Sequence, residues 1–269
     1  MGEIITEKRY NELLNIIKKY DSLAVAFSAG VDSTLLLKAA KDALGENALA
    51  ITVMSDFVPM KEIESAKVIA KDLNVRHILL PVSPLDFPTI ANNPKDRCYH
   101  CKIEIFKNIK KCAVENGIKF VAEGSNLDDT EDYRPGMKAI KELEIVSPLL
   151  EAKLTKKEIR EISESLDLDT WNKPALACLA SRVPYGEIIT KEKLKKIEAA
   201  EDILNRLGFK GARLRLHGNL ARIEILPEDF SKFFAVRIEI VKKLKELGFS
   251  YITLDIEGYR RGRLNEVTN

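Results

Sequence analysis

Short unbroken apolar runs, separated by segments of helical periodicity, constrain this chain more than any other feature of its sequence. Leu23 to Phe27 reads LAVAF and has the continuous hydrophobicity of a strand buried on both faces. After SAGVDS, Thr34 to Leu44 resumes a helical spacing of apolar residues. The alternation then repeats, with strands at Ala48 to Met54, Val75 to Val82 and Lys119 to Ala122, and helices at Lys61 to Leu73 and Ile103 to Asn116. An amphipathic helix over Thr6 to Tyr20 precedes it. A fifth strand is expected near Glu144 to Leu149, then a helix over Thr155 to Leu166, where Thr155 and Glu158 have capping-box spacing. Such alternation predicts an α/β fold, a doubly wound parallel sheet with helices on both faces.

Beyond Pro184, Tyr185 and Gly186 the pattern changes. Lys191 to Leu207 reads as a helix, and Ala212 to Leu216 with Leu220 to Leu226 as a hairpin. Asp229 to Leu247 reads as a second helix and Tyr251 to Ile256 as a strand. The order αββαβ predicts a small C-terminal α+β domain over 187–269 behind an α/β domain over 1–186. The 269 residues, 45% of them hydrophobic, suffice for two such cores. The polar tail from Arg260 is expected to fray.

Ser28 to Ser33 lies where the first strand hands over to its helix. A glycine-containing turn there presents backbone N–H groups and the positive end of the helix dipole to an anion, and the hydroxyls of Ser28 and Ser33 add donors. This builds a phosphate or pyrophosphate cradle, although an ordinary βα turn also favours Ser, Gly and Asp. GxxxxGKS is absent, and with it the lysine that reaches the β- and γ-phosphates in a P-loop. SxGxDS in this position resembles the signature of the PP-loop ATP-pyrophosphatases, whose loop grips the part of ATP that leaves as pyrophosphate. The resemblance implies that Ser28, Ala29, Gly30, Val31, Asp32 and Ser33 bind ATP, and that the backbone of Val53, Met54 and Ser55 contacts adenine. Ala29 departs from the commoner SGGxDS form.

In such a fold, ligands sit beyond the carboxyl ends of the strands. The segment EGSNLDDTEDYRPG, Glu123 to Gly136, follows the fourth strand and is too polar for a core element. Its carboxylates, Asp128 among them, could hold a Mg²⁺ that bridges phosphates, with Gly124 at the nucleotide and Arg134 facing a substrate anion. A solvated acidic loop is the plain alternative.

Four cysteines, at 98, 101, 112 and 178, are too few for a disulfide scaffold. The pair in RCYHCK could chelate a metal, form a redox couple or do neither. With no second CxxC, a closed four-cysteine zinc site cannot be built, although His100 or His77 could complete a mixed one. Cys178 lies in WNKPALACLASRVPYGEIIT, where Pro174 and Pro184 enforce a loop. Three thiolates from two loops, Cys98, Cys101 and Cys178, could hold a [4Fe–4S] cluster with one open iron. Cys112 sits at helical spacing among Phe106, Ile109 and Ala113 and reads as core.

Together, SAGVDS, RCYHCK, EGSNLDDTEDYRPG and PALACLASRVPYGEIIT closely resemble the LarE family, ATP-dependent sulfur transferases of nickel-pincer nucleotide cofactor biosynthesis. The resemblance implies that ATP, with Mg²⁺, adenylates a carboxylate of pyridinium-3,5-biscarboxylic acid mononucleotide. Asp32 would serve catalysis, and sulfur would reach the acyl group from the open iron of a cluster on Cys98, Cys101 and Cys178. Simpler members have only the cysteine equivalent to Cys178 and donate its own sulfur. Arg182, Glu201, Arg206, Arg213 and Arg215 would bind the phosphorylated substrate. Arg213 and Arg215 share one face of a predicted strand, near Arg222, where solvated edge charges are the bland reading. An upstream sulfur donor of unknown identity and a homo-oligomer, as in hexameric family members, are further implied.

Charge weighs the alternatives. Forty-three Lys and Arg against 41 Asp and Glu leave +2, no surplus for counterion release on nucleic acid. This counts against a tRNA-thiolating enzyme on the same loop. An amide-forming synthetase would leave the cysteines incidental, and a scaffold protein needs neither motif. MGEIITEKRY is not a signal peptide, and no apolar run approaches the roughly 20 residues of a membrane span, so a cytoplasmic protein without nucleic-acid or membrane partners is expected.

Overall fold

The computed structural model describes residues 2–130, 135–174 and 178–260. In chain order its elements are α1 (Gly2–Ile17), β1 (Leu23–Ala26), α2 (Val31–Leu44), β2 (Ala48–Met54), α3 (Met60–Asp72), β3 (Arg76–Pro81), α4 (Pro88–Ala91), α5 (Arg97–Glu115) and β4 (Phe120–Ala122). There follow α6 (Pro135–Glu142), α7 (Pro148–Glu151), α8 (Lys156–Ser165), α9 (Lys191–Arg206), β5 (Arg213–His217), β6 (Leu220–Glu224), α10 (Phe230–Glu246) and β7 (Tyr251–Leu254). They form two compact units, residues 1–84 with 98–176, and residues 85–97 with 177–269.

The first unit holds a parallel sheet in the order β3-β2-β1-β4, the α/β fold that the alternation predicts. Successive residues of β1 serve opposite cores because side chains alternate across a strand. Leu23, Val25 and Phe27 pack with α1, α2 and α8, whereas Ala24, with Leu49 and Ile51 of β2, meets Phe106, Ile109 and Cys112 of α5 and Ile140 of α6. Leu23, Ala24 and Val25 are fully buried, which explains why LAVAF carries no polar residue. Each fully buried Leu or Ile contributes about 1.5–3 kcal/mol. Thr155 caps α8, accepting from the Glu158 N–H while the Glu158 carboxylate accepts from Thr155, so the capping box stands as read. From β1 the chain winds outward through β2 to β3 and then crosses back to β4 on the other side of β1, so the strand order reverses between β1 and β4 and a crevice opens at this switch point.

Two expectations are corrected. Glu144 to Leu149 is not a strand: Val146 makes a single parallel bridge to Ala122, flanked by left-handed Glu144 (φ +53°) and by Pro148, which starts α7. The CxxC pair is not on a loop either, because α5 begins at Arg97, six residues before the expected start.

The second unit is the expected αββαβ, with β5 and β6 antiparallel and β7 parallel to β6. Residues 85–97 join it through main-chain bonds. Gly186 donates to the Asn93 carbonyl (2.9 Å) and Ile189 to that of Ala91 (2.8 Å). The fully buried Asn93 amide donates to the carbonyls of Val183 (3.2 Å) and Pro184 (2.6 Å). Among the described residues no helix is long and apolar enough to cross a membrane.

Candidate active site

The crevice of the first unit is a cleft of about 480 Å³ at the carboxyl ends of β1, β2 and β4, within the range that holds small-molecule ligands. Its floor is the SAGVDS turn. Gly30 is the N-cap of α2 and supplies no side-chain cap, so the first-turn N–H groups remain available as anion donors. An added Cβ at Gly30 would meet only the Ser28 hydroxyl, at 3.5 Å, and its φ is an ordinary −84°. The fold therefore does not require glycine here, which leaves access to the backbone as the reason for it. Ser33 accepts from the Ser28 N–H (3.3 Å), donates to the Gly30 carbonyl (3.2 Å) and lies 3.1 Å from the Ser28 hydroxyl. Val31 is buried beneath the turn.

Gly124, after β4, presses on this turn: a Cβ there would lie 3.2 Å from both the Ser33 nitrogen and Asp32 Cβ. The next residues organise the carboxylates. Asn126 donates its side-chain amide to Asp32 (3.1 Å) and accepts nothing from it, while its backbone N–H donates to Asp129 (3.1 Å). Lys156, at the start of α8, pairs closely with Asp32, and its N–H donates to Asp128 (3.2 Å). Asp32 and Asp129 line the cleft; Asp128 is exposed beside α8. Glu123, also a wall residue, accepts from the Ser125 N–H (3.1 Å) and hydroxyl (2.8 Å) and from the Ser147 hydroxyl (2.6 Å). Glu62 lines the opposite side, held by Lys173 at 2.7 Å, and Lys102 with Ile105, Phe106 and Ile109 forms the α5 wall.

At the β2 edge, Phe27 donates to the Ile51 carbonyl (2.9 Å) and Val82 to that of Met54 (3.0 Å). Peptides alternate sides along a parallel strand, so Val53 turns its N–H and C=O toward β1, whose pairing has already ended at Ile51. Val53 lines the cleft; Met54 spends its carbonyl on β3, and the Ser55 hydroxyl accepts from the Phe57 N–H. Beneath them Thr52 donates to the Phe27 carbonyl (2.7 Å), so His77 Nε2, 2.8 Å away, must be the donor to Thr52. Burial, then Lys67, pushes the His77 pKa down.

All four cysteines are unbridged. Cys98 and Cys101 occupy the first turns of α5. Cys178 is exposed in the second unit, its carbonyl accepting from Ser181 (hydroxyl, 2.7 Å) and Arg182 (3.2 Å). Among the described residues no three His, Cys, Asp or Glu side chains already converge on a metal position. Cys112 is buried in the α5 core, and burial, then Glu115, pushes its thiol up.

Three of the expected substrate arginines, Arg182, Arg213 and Arg215, are buried and engaged in the second unit. Arg182 (2% exposed) makes a bidentate pair with Glu201, at 2.8 and 3.1 Å, and Glu201 also accepts from the Leu214 N–H (3.0 Å). Arg215 pairs with fully buried Glu224 (3.0 Å) and donates to the Ser181 carbonyl (2.7 Å). Arg213 donates to the carbonyls of Gly211 and Ala212 and lies over the Tyr259 ring; burial, then Arg182, lowers its pKa. Arg222 shares Glu224 and approaches Asp255 (3.6 Å), with a buried Nε that has no hydrogen-bond partner. Glu201 thus serves Arg182, and Glu224 serves both Arg215 and Arg222. Arg206 stands apart from this group on the exposed face of α9, in a groove of about 230 Å³ with Lys243 and Leu247. Arg134 lies outside the described residues.

Glu62, Lys102, Glu123, Asn126, Asp129, Lys156 and Lys173 were not individually legible as site residues. Glu123, Asn126 and Asp129 lie in the flagged acidic segment, and Lys102 ends RCYHCK, but nothing in the sequence marks Glu62 or Lys156.

No family model matches the chain. It is similar to an uncharacterized protein of Synechocystis, 43% identical over 263 residues, 97% of this chain and 98% of that protein. A pyridinium-3,5-bisthiocarboxylic acid mononucleotide synthase of Lactiplantibacillus plantarum is 35% identical over 267 residues, 99% of this chain and 96% of the synthase. An uncharacterized protein of Methanocaldococcus jannaschii is 34% identical over 256 residues, 94% of this chain and 98% of that protein.

Proposed function

Because the chain belongs to the LarE family of sulfur transferases, we propose that it uses MgATP to adenylate a carboxylate of pyridinium-3,5-biscarboxylic acid mononucleotide and then replaces the acyl oxygen with sulfur. The observation that carries this reading is the cleft itself, with an uncapped helix N-terminus and two hydroxyls at one end and the unpaired Val53 peptide at the other. That spacing of an anion cradle and a hydrogen-bonding edge suits a nucleotide: adenine reads the Val53 N–H and C=O, and the phosphates lie on Ser28 to Ser33.

A carboxylate is a poor acyl donor because its leaving group would be oxide. Attack of its oxygen on the α-phosphorus of ATP breaks the bond to the β-phosphate bridge, forms a mixed anhydride and releases pyrophosphate. The α2 N-terminus stabilises the charge that develops on this leaving group. Carboxylates alone would repel it, and Lys156 on Asp32 and Lys173 on Glu62 offset two of them. Mg²⁺ takes one or two carboxylates with phosphate oxygens and water, and Asp32 and Asp129, linked through Asn126, offer that set. The cluster of arginines that includes Arg213, Arg215 and Arg222 suits the substrate's own phosphate. Three unbridged cysteines, two of them exposed and one half-exposed, match a cluster's ligand chemistry; a [4Fe–4S] cluster on Cys98, Cys101 and Cys178 would supply the transferable sulfur.

Turnover with the biscarboxylate should release AMP and pyrophosphate, and ADP with phosphate would refute adenylation. Anaerobic reconstitution with iron and sulfide should give a broad visible band that Cys98→Ala, Cys101→Ala and Cys178→Ala each abolish and Cys112→Ala leaves in place. Dependence on Cys112 with Cys98 dispensable would overturn the ligand assignment.

A further inference from the structure

Ala29 holds a conformation that its own side chain disfavours. Its φ is +55°, in the left-handed region where Cβ crowds the following carbonyl and glycine fits without cost, yet it is fully buried. Such strain persists only where the surroundings over-determine it. Here the surroundings supply one ammonium group: Lys173 Nζ donates to the Ala29 carbonyl at 3.0 Å and to Glu62 Oε2 at 2.7 Å.

The two ends of this contact are 144 residues apart, so chain proximity does not explain it. Lys173 is itself fixed: its N–H donates to the Thr170 carbonyl (3.0 Å), and its own carbonyl accepts from Arg160 of α8 (2.9 Å). Glu62 stands in the first turn of α3 with its side chain 8% exposed and gives the ammonium a second anchor. Pinning the Ala29 carbonyl also fixes the Gly30 N–H, because the two belong to one planar trans peptide and point in opposite directions.

We propose that Lys173, clamped by Glu62, is a positioning residue that holds Ala29 left-handed and so sets the donors of the phosphate turn, a task that glycine at position 29 would perform without help. The functional half of this inference rests on the turn being the ATP cradle. The structural half does not.

The test is a double-mutant cycle of wild type, Ala29→Gly, Lys173→Met and the double variant. Hydrogen exchange of the amides of residues 28–33 and calorimetric affinity for MgATP are the two readouts. Lys173→Met should speed exchange and weaken MgATP about tenfold with alanine at 29, the scale of one lost charge-assisted hydrogen bond. With glycine at 29 the same change should have less than about a twofold effect. Equal effects in both backgrounds would overturn the proposal. If leaving Glu62 unpaired prevents folding, Glu62→Gln/Lys173→Met replaces Lys173→Met in the cycle, with the same two outcomes. Exchange coupling without MgATP binding by any of the proteins would support the brace and refute the nucleotide reading.

Discussion

Gly124→Ala tests whether the turn after β4 and the N-terminus of α2 work as one surface. The added methyl would lie 3.2 Å from Asp32 Cβ and from the Ser33 nitrogen, and 3.5 Å from the Asp32 carbonyl carbon. Comfortable carbon contacts lie at about 3.5–4.0 Å, so the turns must separate by about 0.3–0.8 Å. Overpacking of this kind costs about 1–3 kcal/mol. Because Gly124 does not need a positive φ, restricting the unfolded chain returns about 0.4–1 kcal/mol. The net loss is about 1 kcal/mol, which lowers the melting temperature by about 2–4 °C. If the SAGVDS turn holds the nucleotide as proposed, catalysis should suffer more, because the displaced atoms include one of its backbone donors and misplacement by about 1 Å can cost a hundredfold. Scaled to half that displacement, pyrophosphate release should fall about tenfold. A stopped pyrophosphate assay beside a thermal melt separates the two effects. Wild-type turnover with an unchanged melt would refute the close approach, and a complete loss of folding would show that the turns cannot yield.

The remaining predictions concern charged and titratable groups. Glu201→Ala leaves Arg182 buried without its carboxylate and the Leu214 N–H without its acceptor, so it should lose about 3–5 kcal/mol, with Glu201→Gln losing less; denaturant midpoints measure this, and a variant as stable as wild type would show that the pair is not structural. His77 and His217 both titrate below the ordinary histidine range, His77 through burial and then Lys67, His217 through burial and then Arg222. As pH falls through about 6.5 the unfolded chain takes up protons that the folded chain refuses, so stability drops toward acid. Between pH 7.5 and 5.5, His77→Gln/His217→Gln should show a shallower decline than wild type, and an identical decline would exclude both rings as its source.

What was legible in the sequence follows the range over which each signal acts. LAVAF, the SAGVDS turn and the Thr155–Glu158 box are local: a buried strand needs apolar side chains on both faces, a helix start needs donors and caps, and neither depends on distant partners. The expected start of α5 at Ile103 failed because its first turns carry the polar stretch RCYHC, so apolar periodicity begins only later. The false strand at Glu144 to Leu149 failed for the opposite reason, since apolar Ile145 and Val146 fit a strand while Glu144 and Pro148 bend the chain away from the sheet. The site was half legible. Motif residues mark the SAGVDS turn, but the lysines that set the charge around it reach it across the chain, Lys156 to Asp32 over 124 residues and Lys173 to Ala29 over 144. Lysines are abundant here, 29 of the 269 residues, so nothing distinguishes those two from solvated neighbours until the fold brings them to a carboxylate and a carbonyl. A SAGVDS turn without the P-loop lysine is therefore not a turn without cations: the first unit delivers them from α8 and the segment after it, tied to Asp32 and Glu62.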